Sequence, residues 1–313
     1  VVGKPDIRRL AGADRYATAA AISAATYVPH VRYLFVANGL SFPDALAGGA
    51  VAAQFGAPLL LVKPTSIPTV TLNEIKRLKP QQIFVLGGTG VVSNAVLSQL
   101  GSYQTDAGGP YRLAGPDRYA TAAAISAAVD WPNTPTVFIA NGLNFPDALA
   151  GGAVTPRFVG PVLLTTPASL PQATKTELAR LHPTKIVILG GTGSVSTTVG
   201  TQLKSYVSSA ARLERWAGAD RYATAQVIAS HLYGLTPVPR TVYLASGTAF
   251  PDGLSGDPPA GAYGGALLLT RSDLLPAPTK SALTTIDPVR IFVLGGTGVV
   301  SDAVVAEVRG LFP

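Results

Sequence analysis

A short motif built around Asp-Arg-Tyr occurs three times, and its arginine is the strongest candidate for chemistry in the sequence. Leu-Ala-Gly-Ala-Asp-Arg-Tyr-Ala-Thr-Ala begins at Leu10, and near-copies follow 103 and then a further 103 residues along the chain. Each copy places one full positive charge, on Arg15, Arg118 or Arg221, beside an acidic residue. A repeated cation of this kind suits the binding of an anionic group.

Two further motifs repeat with nearly the same period. Phe-Pro-Asp begins at Phe42 and Gly-Gly-Thr-Gly begins at Gly87, and both recur after 103 and then 105 residues. A polar position that recurs in all three copies is either required by the fold or used three times by a ligand. The candidate site residues are Arg15, Arg118, Arg221, Asp14, Asp117, Asp220, Asn38, Asn141, Ser246, Asp44, Asp147, Asp252, Thr89, Thr192 and Thr297.

The elements that position these residues follow from the hydrophobic pattern. In the first copy the pattern predicts buried strands at 31–37, 57–62 and 82–86, and helices at 14–26, 43–54, 68–78 and 94–100. Apolar strands that alternate with helices form a parallel sheet covered on both faces. We therefore predict an α/β fold of three tandem Rossmann-like or flavodoxin-like parallel-sheet domains, at residues 1–105, 106–208 and 209–313.

Most of the candidate residues follow a predicted strand and precede a predicted helix. Such loops lie at the carboxyl edge of a parallel sheet, where open α/β sheets bind their ligands. Helix N-termini add free N–H groups and partial positive charge at this edge. We expect the three loops of each domain to meet on one rim of that domain and to bind an anionic group there.

Each candidate also has a structural interpretation. Asp14 is placed as a helix cap or an ion-pair partner, and Asp44 is favoured in the first turn of a helix behind Pro43. The Gly-Gly-Thr-Gly motif fits a tight turn and lacks the lysine of a phosphate-binding loop. Arg15 and its equivalents either bind a ligand or bridge neighbouring copies as inter-domain ion pairs. The sequence alone leaves these alternatives open.

The composition excludes several classes of protein and site. Of the 313 residues 47% are hydrophobic and 13% charged, which excludes a disordered chain. The absence of cysteine excludes disulfides, thiolate metal sites and cysteine nucleophiles. The three histidines occupy unrelated places in the repeat, so each is expected on the solvated surface, and no catalytic site, metal or cofactor is expected. Two enzymatic alternatives stay open: a glycosidase-like pair of Asp14 and Asp44, and an enzyme acting on a nucleotide or sugar phosphate.

The charge is basic and unevenly distributed. The chain carries a net charge of +7, which favours anionic partners, and its thirds at 1–103, 104–206 and 207–313 carry +5, +2 and zero. The third copy also changes the motifs, through Ser246, Gly253 and Asp257, so we expect it to bind a shared ligand least well. The uncharged stretch 45–62 is interrupted by Pro58 and several glycines, which indicates a buried helix, a turn and a strand rather than a membrane insertion.

The combination of motifs resembles a known family. Arg-Leu-Ala-Gly-Ala-Asp-Arg-Tyr-Ala-Thr-Ala, then Phe-Pro-Asp-Ala-Leu-Ala-Gly-Gly-Ala, Pro-Leu-Leu-Leu and Ile-Phe-Val-Leu-Gly-Gly-Thr-Gly-Val-Val-Ser, in three tandem copies, is similar to the cell-wall-binding repeat type 2 family of Gram-positive surface proteins. The resemblance implies three Rossmann-like domains packed in a pseudo-three-fold triangle.

The same resemblance implies a function. It implies a non-catalytic module that anchors a secreted protein at the cell wall or cell surface by binding an anionic wall polymer. Nucleic acid is not an expected partner. The effector region that members of the family usually carry is expected to lie outside this chain.

Overall fold

The computed structural model describes residues 3–131, 136–233 and 240–312. Strands and helices alternate through all three repeats. The elements of the first repeat are β1 (Asp6–Leu10), α1 (Arg15–Thr26), β2 (Tyr33–Asn38), α2 (Pro43–Gln54), β3 (Leu59–Val62), α3 (Thr69–Leu78), β4 (Gln82–Leu86) and α4 (Asn94–Gly101).

The second and third repeats follow the same order, with small differences in the helices. The second repeat contains β5 (Tyr111–Leu113), α5 (Arg118–Ala127), β6 (Thr136–Asn141), α6 (Pro146–Gly152), α7 (Thr155–Phe158), β7 (Val162–Thr165), α8 (Gln172–Leu181), β8 (Lys185–Leu189) and α9 (Thr197–Leu203), followed by 3-10 turns at Lys204–Tyr206 and Ala210–Arg212. The third contains β9 (Leu213–Trp216), α10 (Arg221–Tyr233), β10 (Thr241–Ser246), α11 (Pro251–Ala262), β11 (Ala266–Thr270), α12 (Ala277–Ile286), β12 (Arg290–Leu294) and α13 (Asp302–Gly310).

The strands form three separate four-stranded sheets, and all of the pairings are parallel. The strand orders are β3-β2-β4-β5, β7-β6-β8-β9 and β11-β10-β12-β1. The predicted α/β class of parallel-sheet domains is confirmed. The strands are nearly continuous apolar runs because helices cover both faces; Leu34, Val36 and Ala37 of β2, for example, are fully buried.

Each sheet takes one edge strand from the next repeat. β5 of repeat 2 pairs with β4 of repeat 1, and β9 of repeat 3 pairs with β8 of repeat 2. β1 closes the ring by pairing with β12, with Asp6 opposite Arg290. The domain limits at 105/106 and 208/209 stay a prediction, and the sheets themselves extend across them.

The centre of the molecule is made by one helix from each repeat. α2, α6 and α11 pack against one another, and each begins with a proline in its first turn. At their N-terminal ends the rings of Phe42, Phe145 and Phe250 form a triangle with centroid distances of 5.9, 5.7 and 5.9 Å. These nearly equal distances mark a pseudo-three-fold axis, as the predicted triangle requires.

The uncharged stretch 45–62 divides into α2, a turn and β3, as predicted. No helix among the described residues is both long and apolar enough to cross a membrane.

One of the histidine predictions is wrong. His30 and His182 are exposed, but the His231 ring stacks on Trp216 with centroids 3.7 Å apart. Burial against this ring lowers the pKa of His231. The sequence did not indicate the contact because His231 lies in α10 and Trp216 in β9, and only packing brings the two together.

Candidate functional site

The candidate residues gather in clefts between repeats, not on the rim of a single repeat. The cleft between repeats 1 and 2 has a volume of about 350 Å³ and is lined from repeat 1 by Ser41, Pro43, Asp44 and 88–91, and from repeat 2 by 115–118 and Thr121. The expectation that the three loops of one domain meet is therefore wrong for the Asp-Arg-Tyr loop. The reason is the strand exchange: the loop after β5 lies at the carboxyl edge of the sheet to which β5 belongs, which is the sheet of the preceding repeat.

The same pairing recurs around the ring. Asp44 of repeat 1 faces Arg118 and Thr121 of repeat 2. Asp147 of repeat 2 faces Arg221 and Thr224 of repeat 3, and Asp252 of repeat 3 faces Arg15 and Thr18 of repeat 1. Three related sites therefore surround the axis, each built from two repeats.

The acidic residue of each cleft is held in a confined position. Asp44 is 9% exposed and its side chain lies against Gly87, the residue that ends β4. Gly87 has a φ of 95°, and a Cβ at this position would overlap the Oδ2 atom of Asp44. Glycine is thus required at position 87 for two reasons, a left-handed backbone and the close approach of a carboxyl group. Gly190 and Gly295 have the same relation to Asp147 and Asp252.

Burial changes the acidity of these carboxyl groups. It raises the pKa of Asp44 to about 6, against the opposing influence of the Arg118 charge and the Thr121 hydroxyl. It likewise raises the pKa of Asp252 to about 6, against Arg15 and Thr18. The pKa of Asp147 is also raised by burial. These carboxyl groups therefore take up a proton at a milder acidity than the carboxyl group of an exposed aspartate does.

The arginines are anchored by their own repeat and directed into the cleft of the preceding one. Nη1 of Arg15 donates to the carbonyl of Gly39 over 2.7 Å, and Nη1 of Arg118 donates to Gly142 over the same distance. The guanidinium of Arg15 also lies 5.9 Å from the centroid of the Phe250 ring. One anchoring bond fixes each side chain and leaves further N–H donors without a hydrogen-bond partner among the described residues.

The interpretation of these arginines as inter-domain ion pairs is not supported. Arg15, Arg118 and Arg221 are half-buried, and within the described ranges none lies within 4.0 Å of a carboxylate. Arg221 donates to the carbonyl of Gly247, as its two equivalents do to theirs. Each arginine therefore makes no direct ion pair, although it interacts electrostatically with the aspartate across its cleft.

Asp14, Asp117 and Asp220 are helix caps. Asp14 accepts from the backbone N–H of Ala17 over 2.8 Å, and Asp117 accepts from Tyr119 and Ala120. Asp220 makes the same two bonds in repeat 3. Their carboxylates lie at the mouths of the clefts but already satisfy helix N-termini.

Asn38, Asn141 and Ser246 shape the turns that precede the central helices. Asn38 Oδ1 accepts from the N–H of Leu40, and Asn141 Oδ1 accepts from Leu143. Ser246 Oγ accepts from two backbone N–H groups of its turn. All three side chains are buried, so they position the loop and do not face a ligand.

Thr89, Thr192 and Thr297 are exposed at the tips of the Gly-Gly-Thr-Gly loops. Their hydroxyls are free to contact a molecule in the cleft.

The residues that hold these loops were not among the predicted site. Nη1 of Arg112 donates to the carbonyl of Gly87 over 2.7 Å, and Arg215 and Arg9 bind Gly190 and Gly295 in the same way. The Thr121 hydroxyl also accepts from the N–H of Gly115 over 3.1 Å, which ties the motif loop to its helix. Both residue types recur in all three motif copies, and that recurrence is the signal that identifies them.

The cleft between repeats 1 and 2 contains polar and charged groups suited to binding. Among the described residues no three His, Asp or Glu side chains are grouped to hold a metal ion. A guanidinium, a threonine hydroxyl and backbone amides at one edge can bind an anionic group.

One known protein family matches all three repeats of the chain. The model described as Cell wall binding domain 2 matches residues 9–97, 112–200 and 215–305. The chain is 29% identical over 303 residues to N-acetylmuramoyl-L-alanine amidase LytC of Bacillus subtilis (strain 168), which covers 97% of this chain and 58% of the relative. It is 29% identical over 262 residues to the Amidase enhancer of the same organism, covering 83% of this chain and 34% of that protein.

Two solved structures share the fold. Cwp6 from Clostridium difficile superposes with a TM-score of 0.87 at 24% identity, over 99% of this chain and 48% of the other. Cwp8 from Clostridium difficile superposes with a TM-score of 0.85 at 23% identity, over 98% of this chain and 52% of the other. This chain therefore spans about half of these proteins, and between a third and three fifths of the two Bacillus relatives.

Proposed function

We propose, from the premise that this chain belongs to the Cell wall binding domain 2 family, that its three clefts bind an anionic glycopolymer of the wall. The family places its partner in the cell wall, and the chain consists of three such repeats. In this proposal the chain is a non-catalytic anchor that holds a secreted protein at the cell surface. Catalytic activity of the kind named for the Bacillus amidase would belong to a region outside the three repeats.

The observation that carries the proposal is the arginine in each cleft. Arg118 is held by one bond to Gly142 and lines the same cleft as Asp44 and the loop 88–91. The same arrangement occurs around Arg221 and Arg15. A fixed guanidinium with free donors recognises phosphate or carboxylate groups, which are the charged groups of anionic glycopolymers.

Three sites on one rigid body suit a repeating polymer. Once one cleft holds an anionic group of the polymer, the next groups of the same chain are at a high effective concentration for the neighbouring clefts. Weak single sites then give firm attachment without a deep pocket.

The arrangement of the carboxyl groups supports a binding role over a catalytic one. Asp14 caps a helix, while the acidic residue of the adjoining cleft, Asp252, is buried against Gly295. Asp44 lies in a different cleft, the one between repeats 1 and 2. The glycosidase-like pair of Asp14 and Asp44 therefore lacks a shared site.

Co-sedimentation with purified Gram-positive cell walls tests the proposal. We expect the chain to bind intact walls, to lose binding when the anionic polymers are chemically removed, and to bind less well as salt rises from about 50 to about 500 mM. The variant Arg15→Gln/Arg118→Gln/Arg221→Gln should lose most of its binding.

A matched control removes the same charge elsewhere. Arg32, Arg240 and Arg309 are exposed and lie outside the three clefts, the first in repeat 1 and the other two in repeat 3. Their triple glutamine variant should keep its binding, and circular dichroism should show both variants folded. Equal binding by the cleft variant and the control variant would contradict the proposal.

A further inference from the structure

The charges in each cleft do not favour an anion when all acidic groups are ionised. The charged residues that line the cleft between repeats 1 and 2 are Asp44, Asp117 and Arg118. Two carboxylates and one guanidinium leave the cleft with one negative charge in excess. An approaching anionic group is repelled by this excess before it can bind the guanidinium.

The two carboxylates differ in what holds their charge. Asp117 accepts two backbone hydrogen bonds at the N-terminus of α5, where the helix dipole favours a negative charge. Asp44 is buried against Gly87 and has the single hydroxyl of Thr121 as its hydrogen-bonding partner in the cleft. Burial with one hydrogen bond disfavours the charged form of a carboxyl group. Asp44 is therefore the group that takes up a proton first.

No direct ion pair locks the two cleft charges together. Arg118 and Asp44 interact electrostatically across the cleft but do not approach within the 4.0 Å of a salt bridge. Loss of the Asp44 charge thus changes the field at Arg118 without removing a contact that holds the side chain. Arg118 keeps its anchor on Gly142 in either state.

We propose that Asp44, Asp147 and Asp252 act as proton-operated gates on the three clefts. Ionised, each cancels the field of the arginine contributed by the next repeat; protonated, each leaves that arginine to bind an anionic group of the wall polymer. Wall attachment is therefore stronger in a mildly acidic medium than in a neutral one. This inference rests on the proposed function of the clefts.

Three neighbouring arginines are already bound to loop carbonyls, so they do not take over the role proposed for the buried aspartates. Arg112 is bound to the carbonyl of Gly87 and Asn94, and Arg215 to the carbonyl of Gly190. Arg9 is bound to the carbonyl of Gly295 and paired with Asp302 at 2.9 Å. The capping residues Asp220 and Asp14 are the repeat equivalents of Asp117, and near Arg221 the charges of Arg271 and Asp273 also act on Tyr222.

The direction of the pH effect follows from the burial of these groups. Burial raises the pKa of Asp44 and Asp252 to about 6 and raises that of Asp147. Asp44 and Asp252 are then largely ionised near about pH 7.5 and largely neutral near about pH 5, and Asp147 shifts in the same direction. Binding that needs the neutral form gains strength through this interval as the pH falls.

The test compares wild type with Asp44→Asn/Asp147→Asn/Asp252→Asn in co-sedimentation with isolated Bacillus subtilis walls between about pH 5 and about pH 7.5. We expect wild-type affinity to rise about tenfold on acidification, and the variant to bind at both pH values as tightly as wild type does at pH 5. The use of one wall preparation cancels any titration of the polymer itself. As a matched control, Asp106→Asn/Asp130→Asn/Asp273→Asn changes three exposed aspartates and should keep the wild-type pH profile.

Two outcomes overturn the inference and are distinct from failure of the proposed function. If wild type and the cleft variant gain affinity equally on acidification, or if neither responds to pH, the clefts bind but are not gated. If wild type binds at no pH, the proposed function itself fails. Carboxyl-carbon NMR of wild type gives a second measurement that does not depend on a folded variant: titration of Asp44 below about pH 4.5 would contradict the gate.

Discussion

The first two repeats and the third differ most at the pseudo-three-fold axis. Gly49 and Gly152 occupy equivalent positions in α2 and α6, whereas the third repeat places Asp257 there in α11. The Asp257 side chain is 1% exposed and points at the two glycines, so that a Cβ on Gly152 would overlap its carboxyl group. The Asp257 side chain thus fills space left by the absence of side chains at Gly49 and Gly152.

The three repeats are therefore not interchangeable, because their residues at the axis must fit one another. Space at the axis admits one carboxyl group, and its Oδ1 atom has no hydrogen-bond partner in the described structure. Burial raises the pKa of Asp257 well above the ordinary aspartate value. Burial thus disfavours the ionised form of Asp257, and the packing at the axis is asymmetric within a nearly symmetric molecule.

Added side-chain volume opposite Asp257 should have the largest effect on stability. Gly152→Ala places a methyl group on the carboxyl of Asp257, and we expect it to lower the free energy of unfolding by about 3 kcal/mol. Urea denaturation measures the loss. Gly191→Ala is the matched control, since a Cβ on Gly191 meets nothing within 4 Å. Equal stability of the two variants would show that the axis is not tightly packed.

Making the third repeat more like the others should have a smaller, pH-dependent effect. Asp257→Ala removes a buried carboxyl group with an unpartnered oxygen. Because the folded state raises the pKa of this group, wild type loses stability as the pH rises above the ordinary pKa of aspartate, and the variant does not share that loss.

We expect Asp257→Ala to be more stable than wild type by about 1–3 kcal/mol near about pH 8, and the advantage to shrink near about pH 4. Urea denaturation at both pH values measures it. A difference that stays constant with pH would mean that Asp257 is already ionised in the folded protein.

Single arginine variants test whether the clefts contribute unequally to wall binding. The first two thirds of the chain carry net charges of +5 and +2 and the last third carries zero, so the cleft between repeats 1 and 2 lies in the most positive surroundings. We expect Arg118→Gln to weaken wall binding about tenfold and Arg221→Gln about threefold at low salt. Co-sedimentation at two salt concentrations measures both. The opposite order would show that local cleft geometry outweighs the overall charge of the repeats.

The smallest effects are expected at the helix caps. Asp117 accepts two backbone hydrogen bonds and Asp14 accepts one, so Asp117→Ala should cost about 1 kcal/mol of stability and Asp14→Ala about 0.5 kcal/mol. Thermal unfolding compares the two variants. Because each variant also removes a negative charge at a cleft, neither should weaken binding to walls; a loss of binding without a loss of stability would assign these carboxylates to the ligand instead.

Local structure could be predicted closely from the sequence. α2 covers Pro43–Gln54 and β4 covers Gln82–Leu86, as predicted, because proline, apolar runs and glycine mark their ends. The strand predicted at 57–62 begins at Leu59 instead. Pro58 has no N–H to donate, and the N–H of Ala57 closes the preceding helix on Ala52.

The composition of the clefts could not be predicted in the same way. The pattern predicts a short strand at 111–114, and the structure has it at Tyr111–Leu113, but nothing within the pattern specifies whether this strand joins its own repeat or the preceding one. Because this strand joins the sheet of the preceding repeat, Asp117 and Arg118 lie in a cleft shared with Asp44 and not on the rim of their own repeat. The pairing of Asp257 with Gly49 and Gly152 is likewise a contact between distant segments, which no local pattern contains.

The closing strand has a consequence for how the protein is made. β1 is synthesised first, yet its partner β12 lies more than 270 residues later in the chain, with Asp6 opposite Arg290. The sheets of repeats 1 and 2 can each be completed once the following strand has emerged, but the strand pair that joins β1 to the third sheet cannot form until β12 has emerged. Contacts between such distant segments form slowly because the intervening loop must first be closed. We therefore expect ring closure to be a late step of folding, before which the edge of β12 that β1 covers is open to pairing with other chains.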